Sequence, residues 1–273
     1  HERPRQIAIG QTIHVLGELA FKALDLVDGY VTIDEIKSLK GKLPKDVYGL
    51  TYGNLPWAFM SLLYGAGGTL ENDMDDLTKD AWRKPMQKLK DAYDTGVVAP
   101  MDVDGEQAFG SGKAVFAQLG TWAQGNMSDT LGADKIAEAN TLQYDADNPV
   151  NFFYQCNWMQ LKDPHRSAAK SAAAADFVNY VYEHWMDWAE VGSISPAYRD
   201  LNNPEYQKLI QASFTNGKKE RDAIKTSNYL YGGYATAGWG TYNDIVYGNV
   251  GLEEGLKTLD LMAQGQIEIQ EES

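Results

Sequence analysis

The sequence predicts an α/β fold. Short β-branched segments with rough alternation, such as QIAIGQTIHVL (6–16) and DVYGLTY (46–52), recur between longer segments whose apolar residues return at helical spacing. The helical segments carry their own start and stop residues. At 273 residues the chain is long enough for one large domain or two modest lobes, and for a sizeable core. Helices alternating with short strands is the pattern of a layered α/β architecture.

Residues 6–16 read as a strand, and FKALDLVDG (21–29) as a short helix stopped by Gly29. In TIDEIKSLKGKL, Thr32 stands three residues before Glu35, the spacing of a capping box, and Ile33, Ile36 and Leu39 share a face. Residues 46–52 form the next strand. Pro56 suits the first turn of a helix, where a missing N–H costs nothing. Trp57, Met60 and Tyr64 follow on one side, and Gly67-Gly68 ends the helix. ENDMDDLTKD (71–80) reads as an acidic loop, with Thr78 as cap of the next helix. That helix repeats Trp82, Met86, Leu89 and Tyr93 and stops before Gly96; Pro85 inside it implies a kink or a later start. DGEQAFGSG is helical and AVFAQL is a strand. In SAAAADFVNYVYEHWMDWA (171–189), Phe177, Val181, Trp185 and Trp188 form a stripe, and Trp82, Trp185 and Trp188 read as core. Residues 228–248 are glycine-broken loops followed by a helix. Residues 251–265 form a terminal amphipathic helix with Glu253 and Glu254 in its first turn.

A net charge of −14 argues against a nucleic-acid partner, because phosphate binding relies on Lys and Arg releasing counterions. The same charge disfavours an anionic membrane surface, and its simplest role is solubility. The single cysteine, Cys156, allows neither an internal disulfide nor a cysteine zinc site; beside Phe152, Phe153 and Trp158 it reads as a small core residue. No apolar run is long enough to span a bilayer.

Gly110-Ser111-Gly112-Lys113 looks like a phosphate cradle and fails the test. That loop needs Gly, four residues, then Gly-Lys and a hydroxyl. Here Gln107 replaces the first glycine and Ala114 the hydroxyl, and a helix precedes where a strand should. The acidic run Glu71, Asp73, Asp75, Asp76 lacks the glycine and bidentate glutamate of a calcium loop. His1, His14, His165 and His184 are scattered, with no metal-binding pair. The sequence therefore offers no catalytic residue, no metal site and no cofactor.

Aromatics remain. Trp57, Trp122 and Trp239 each lie where a loop meets an element end, flanked by Gly or Pro. Two readings stand: buried core, the commoner fate of Trp, or a partly exposed platform for the apolar C–H face of a sugar ring.

Three stretches, 46–70, 86–127 and 173–201, resemble the extracellular solute-binding proteins of carbohydrate ABC importers, relatives of maltose-binding protein. The motifs are Gly67-Gly68 ending a helix, Asp94-Thr95-Gly96, Ala108-Phe109 followed by Gly112-Lys113-Ala114, a strand, and Gly120-Thr121-Trp122. Their order and spacing carry the resemblance, which covers about residues 20–273. It implies a periplasmic-binding-protein-like fold of type II, two α/β lobes closing on a ligand between them. Trp57, Trp122 and Trp239 match aromatic positions that stack on sugar in that family. Tyr52, Asn54, Asn157 and Arg199 are weaker candidates for polar contacts.

The family carries further residues ahead of the position where this sequence begins, and the Tyr-Asn of its returning segment is replaced here. The resemblance thus implies a nearly complete C-terminal lobe and a remnant of the N-terminal lobe: 1–30 as remnant and hinge strand, 31–156 as first part of the C-terminal lobe, 157–204 as a segment of N-terminal-lobe type, and 205–273 as second part of the C-terminal lobe. The implied function is non-catalytic oligosaccharide binding for an ABC importer, extracellular or periplasmic, with tethering of a full-length precursor left open. Its partners are the sugar, the importer's membrane subunits and a chain supplying the missing lobe. A truncated or engineered form would bind weakly, since closure needs both lobes. The alternatives are a stand-alone scaffold or split module completed by a partner and, with less support, a glycoside-active enzyme. No acid flanks the three tryptophans nearer in sequence than Asp244.

Overall fold

The structure is a computed structural model that describes residues 11–16, 31–52, 55–132, 135–139, 141–151, 163–192, 202–209, 221–222, 238 and 240–272. The strand β1 (Gln11–Leu16) is followed by α1 (Ile33–Ser38), β2 (Tyr48–Tyr52), α2 (Leu55–Gly65), α3 (Leu70–Asp73), α4 (Asp80–Asp94) and α5 (Gly105–Gly110). Then come β3 (Ala114–Gly120), α6 (Gln124–Leu131), β4 (Ile136–Ala139), β5 (Val150–Asn151), α7 (Ala168–Glu183), α8 (Trp185–Gly192), β6 (Arg221–Asp222) and α9 (Leu252–Glu271).

Four strands form one sheet in the order β2-β3-β1-β4. β2 and β3 run parallel, while β1 is antiparallel to both β3 and β4. β3 is buried along its whole length because both faces of the sheet are covered. Val115 and Phe116 join the main core with α1, α2, α4 and α9. Ala114, Ala117 and Leu119 join a second cluster with Phe109, Ala123, Met127 and Ile136.

The expected capping box is met, and other local devices act by the same logic. Thr32 and Glu35 form the capping box, each side chain pairing with the other's backbone N–H. Asp104 caps α5 by accepting from the Gln107 N–H. Gly112, at φ +73°, closes that helix, and the exposed Lys113 sends its N–H back to the Ala108 carbonyl at 2.8 Å. The glycines of the apparent phosphate loop are thus a helix stop. In α2, Ala58, Phe59, Met60, Leu62 and Leu63 are all buried, as in a helix that is apolar on every side. Phe59 packs against Trp82 and Tyr242, with ring centroids 5.8 and 5.0 Å away.

Other expectations are corrected. The acidic loop contains a short helix, α3, capped by Thr69. Thr78 does not cap α4: its hydroxyl donates to Asp76, and Lys79 holds the cap position without a side-chain bond. α4 starts at Asp80 and runs through Pro85, forgoing the bond that a residue 85 N–H would make to Ala81. The buried Trp82, Met86 and Leu89 on either side hold it in place.

The stripe at 171–189 is the largest departure. The helix breaks at His184, whose ring N–H donates to the Tyr180 carbonyl at 2.8 Å. α7 contributes no buried residue, and Phe177 and Trp188 are 55% and 47% exposed rather than core. Trp185 is half-buried, packing with Met186 and Leu209 around Ala189 and Tyr206 in a small cluster of its own.

Candidate functional site

The parallel pairing of β2 with β3 decides what meets at the end of the sheet. Tyr52, the last residue of β2, is level with Gln118. Trp57 comes five positions after Tyr52, in the first turn of α2, and Trp122 four positions after Gln118. Both tryptophans therefore leave the carboxyl end of the same parallel pair, the edge at which open α/β sheets receive ligands. The backbone of Trp57 is placed; its side chain lies outside the described residues, as do Trp239, Asn54, Asn157 and Arg199. Next to Trp239, Gly238 is buried and residues 240–246 are helical.

Trp122 occupies a 3-10 turn, Thr121–Ala123, between β3 and α6. Its neighbours Leu119 and Ala123 are anchored in the second core, yet its own side chain is 58% exposed. An indole held on a buried strand end but open to solvent is not a core residue. α6 is tied to α5 by Asn126, whose amide donates to Glu106.

Tyr52 behaves differently from its candidate role. Its hydroxyl is buried and has no hydrogen-bond partner among the described residues. Burial holds its pKa well above the ordinary tyrosine value, with Tyr247 adding to the effect. As placed, that hydroxyl faces the interior.

Gln118 escaped the sequence reading at this edge, and Gly120 entered it only as a motif residue with no role of its own. Gln118 is fully buried in β3, where its Oε1 accepts from the Leu142 N–H at 3.0 Å and pins residues 141–142 to the strand. Gly120 is a glycine within a paired strand, a signal of close approach by another group. A Cβ built there would overlap Cζ3, Cε3 and Cη2 of the Trp122 indole.

A shallow groove of about 420 Å³ lies elsewhere, lined by Asp80, Arg83, Lys84, Gln87, Lys88, Asp91 and Tyr144. Its charges are largely matched within the protein: Lys84 pairs with Asp80, and Lys88 with Asp34. Among the described residues, no group of three or more His, Cys, Asp or Glu could hold a metal. No described helix is long and apolar enough to cross a membrane.

Solved structures share this fold. The sugar-binding protein MalE from Xanthomonas citri superposes with a TM-score of 0.72 at 12% identity, over 96% of this chain and 69% of that one. A sugar transporter protein from Arthrobacter chlorophenolicus, solved with bound laminaribiose, gives 0.71 at 15% identity, over 93% and 69%. The GacH receptor of Streptomyces glaucescens, studied unliganded and with acarbose, gives 0.68 at 18%, over 98% and 73%. At such identities the likeness is one of fold, the type II periplasmic-binding-protein fold. A search of curated proteins finds no match. Residues 20–216 match the family model described as bacterial extracellular solute-binding protein, and on that match the chain belongs to the bacterial extracellular solute-binding proteins.

Proposed function

We propose that this solute-binding protein takes an oligosaccharide and serves a carbohydrate ABC importer. The observation that carries the reading is Trp122: an exposed indole at the carboxyl end of a parallel strand pair, with Trp57 leaving the same edge. A flat, partly wetted aromatic surface matches the apolar C–H face of a pyranose. Bound maltotriose, laminaribiose and acarbose in proteins of the same fold support the ligand class. Binding of this kind leaves the ligand chemically unchanged, and the chain is not an enzyme. We place it outside the cytoplasmic membrane, delivering ligand to the importer's membrane subunits.

Trp57, Trp122 and Trp239 are proposed as stacking residues, with Asn54, Asn157 and Arg199 as polar contacts; Tyr52 contributes through its ring, given its buried hydroxyl. The matched structures are longer than this chain, which spans about 69–73% of the three described above. We therefore expect residues 1–273 alone to bind more weakly than a complete two-lobed cleft.

The lobe division remains part of the proposal. A segment of N-terminal-lobe type beginning near 157 is supported by α7, which has no fully buried residue, and by the separate cluster around Ala189. Because Tyr206 and Leu209 belong to that cluster, we extend the segment from 204 to at least 209.

Titration calorimetry with maltotriose tests the reading. Binding should be measurable, and Trp122→Ala should weaken it by at least about tenfold, on the order of 1.4 kcal/mol. Unchanged affinity in that variant would remove Trp122 from the site. The second reading, a module completed by a partner chain, is favoured by the exposed Tyr180 and Trp188 on α7 and α8. It predicts that the chain alone binds no sugar until that partner is added.

A further inference from the structure

The Cβ that Gly120 lacks would lie at nearly equal distances from three consecutive atoms of the Trp122 benzo ring, Cζ3, Cε3 and Cη2. A point off the edge of a ring is much nearer one atom than its two neighbours. Near-equality places that point over the ring's face. The indole therefore lies face-down on the Cα of Gly120, in the space any other residue would fill.

Backbone conformation does not demand this glycine. Its φ lies outside the left-handed region that L-residues avoid, unlike Gly112 nearby. Gly120 is also a paired strand residue, level with Gln11 of β1. Glycine at such a position weakens a strand through entropy and contributes no side chain to packing. The close approach of Trp122 is the feature that offsets this cost.

We infer that Gly120 is a positioning residue: its bare Cα seats the Trp122 indole face-down and leaves the opposite face as a one-sided platform. The inference rests on the sugar-binding reading for its purpose, but not for its geometry. One face of the ring is backed by the strand end, and Leu119 and Ala123 fix the turn on either side by burial. The residue is 58% exposed, which assigns the solvent to the other face. A ring held this way offers a single stacking surface, suited to one face of one pyranose. A freely swinging indole would offer two surfaces and lose more entropy on binding.

The test is a four-member cycle of the full chain: unaltered, Gly120→Ala, Trp122→Ala and the double variant. Thermal unfolding, near-ultraviolet circular dichroism and titration with maltotriose are read on each. Gly120→Ala should lower Tm and change the tryptophan dichroism while Trp122 is present. In the Trp122→Ala background the same change should leave both untouched or raise Tm slightly, since alanine restricts the unfolded chain. Affinity should fall about tenfold in the first background and not at all in the second. If Gly120→Ala fails to fold, recovery of folding in the double variant supports the seat. Equal changes of Tm in both backgrounds, or an unaltered dichroism signal in Gly120→Ala, would overturn it. If the unaltered chain binds no oligosaccharide, the reading that this chain binds sugar on its own fails, while Tm and dichroism still decide the seat.

Discussion

Tyr52, Tyr64, Tyr242 and Tyr247 all keep their protons beyond the usual range. Burial is the largest cause in each case. Tyr64 also accepts from the Leu70 N–H and donates to Glu71; its pKa is pushed up to about 12, as is that of Tyr247. An unfolded tyrosine releases its proton near 10.0. Between those values the folded state holds more protons than the unfolded state, so stability falls as pH rises. The contribution is fully present below 10 and is lost on passing through 12. Urea unfolding should give a level free energy from about pH 8 to 10 and a decline beyond it. A level profile to pH 11 would contradict this burial. Single residues were legible only in part. Trp82 and Trp188 both sit on apolar stripes, but Trp82 is buried and donates its indole N–H to the Asp73 carbonyl at 2.7 Å, while Trp188 is open. Periodicity says which side chains share a face, not whether anything packs on it.

Elements differ in how far their partners lie along the chain. The capping box of α1 and the glycine stop of α5 are set within a few residues, and the sequence announces both. Strand order is another matter. β1 enters the sheet between β3 and β4, a placement that no local signal encodes. Gln143 shows a nonlocal device. Its side chain accepts from the Val150 N–H at 2.8 Å and donates to the Val150 carbonyl at 3.0 Å, pairing with β5 as a neighbouring strand would. Gln143 is fully buried. Replacing it with leucine strands both groups of Val150, and each such group costs about 1–3 kcal/mol. Gln143→Leu should therefore lose about 2–4 kcal/mol in denaturant unfolding. A loss below about 1 kcal/mol would mean that Val150 finds other partners.

At the scale of the whole molecule, the terminal helix closes the main core. Leu256, Leu259 and Ala263 of α9 are buried in it. Asp260 accepts from the Leu77 N–H at 3.0 Å, and Gln264 donates to the Met74 carbonyl at 2.6 Å. The bidentate pair of Arg83 with Glu253 lies at the surface, where such pairs add little. The α/β class was legible because alternation and caps agree with one another, and the type II fold only through the motif series that carries the resemblance. The edge that gathers Trp57 and Trp122 was legible only through resemblance, since it depends on the register of β2 against β3. Gly120 pairs with Gln11, more than a hundred residues earlier in the chain. Contacts of such separation pay a loop-closure cost before they return any energy, and they form late. The helical core around α2 and α4 can thus condense before β1 arrives beside the seat of Trp122. In stopped-flow refolding, recovery of sugar-induced tryptophan fluorescence should lag behind recovery of far-ultraviolet ellipticity. Simultaneous recovery would mean that β1 is laid down with the core, and the order of assembly would then give the proposed binding face no delay.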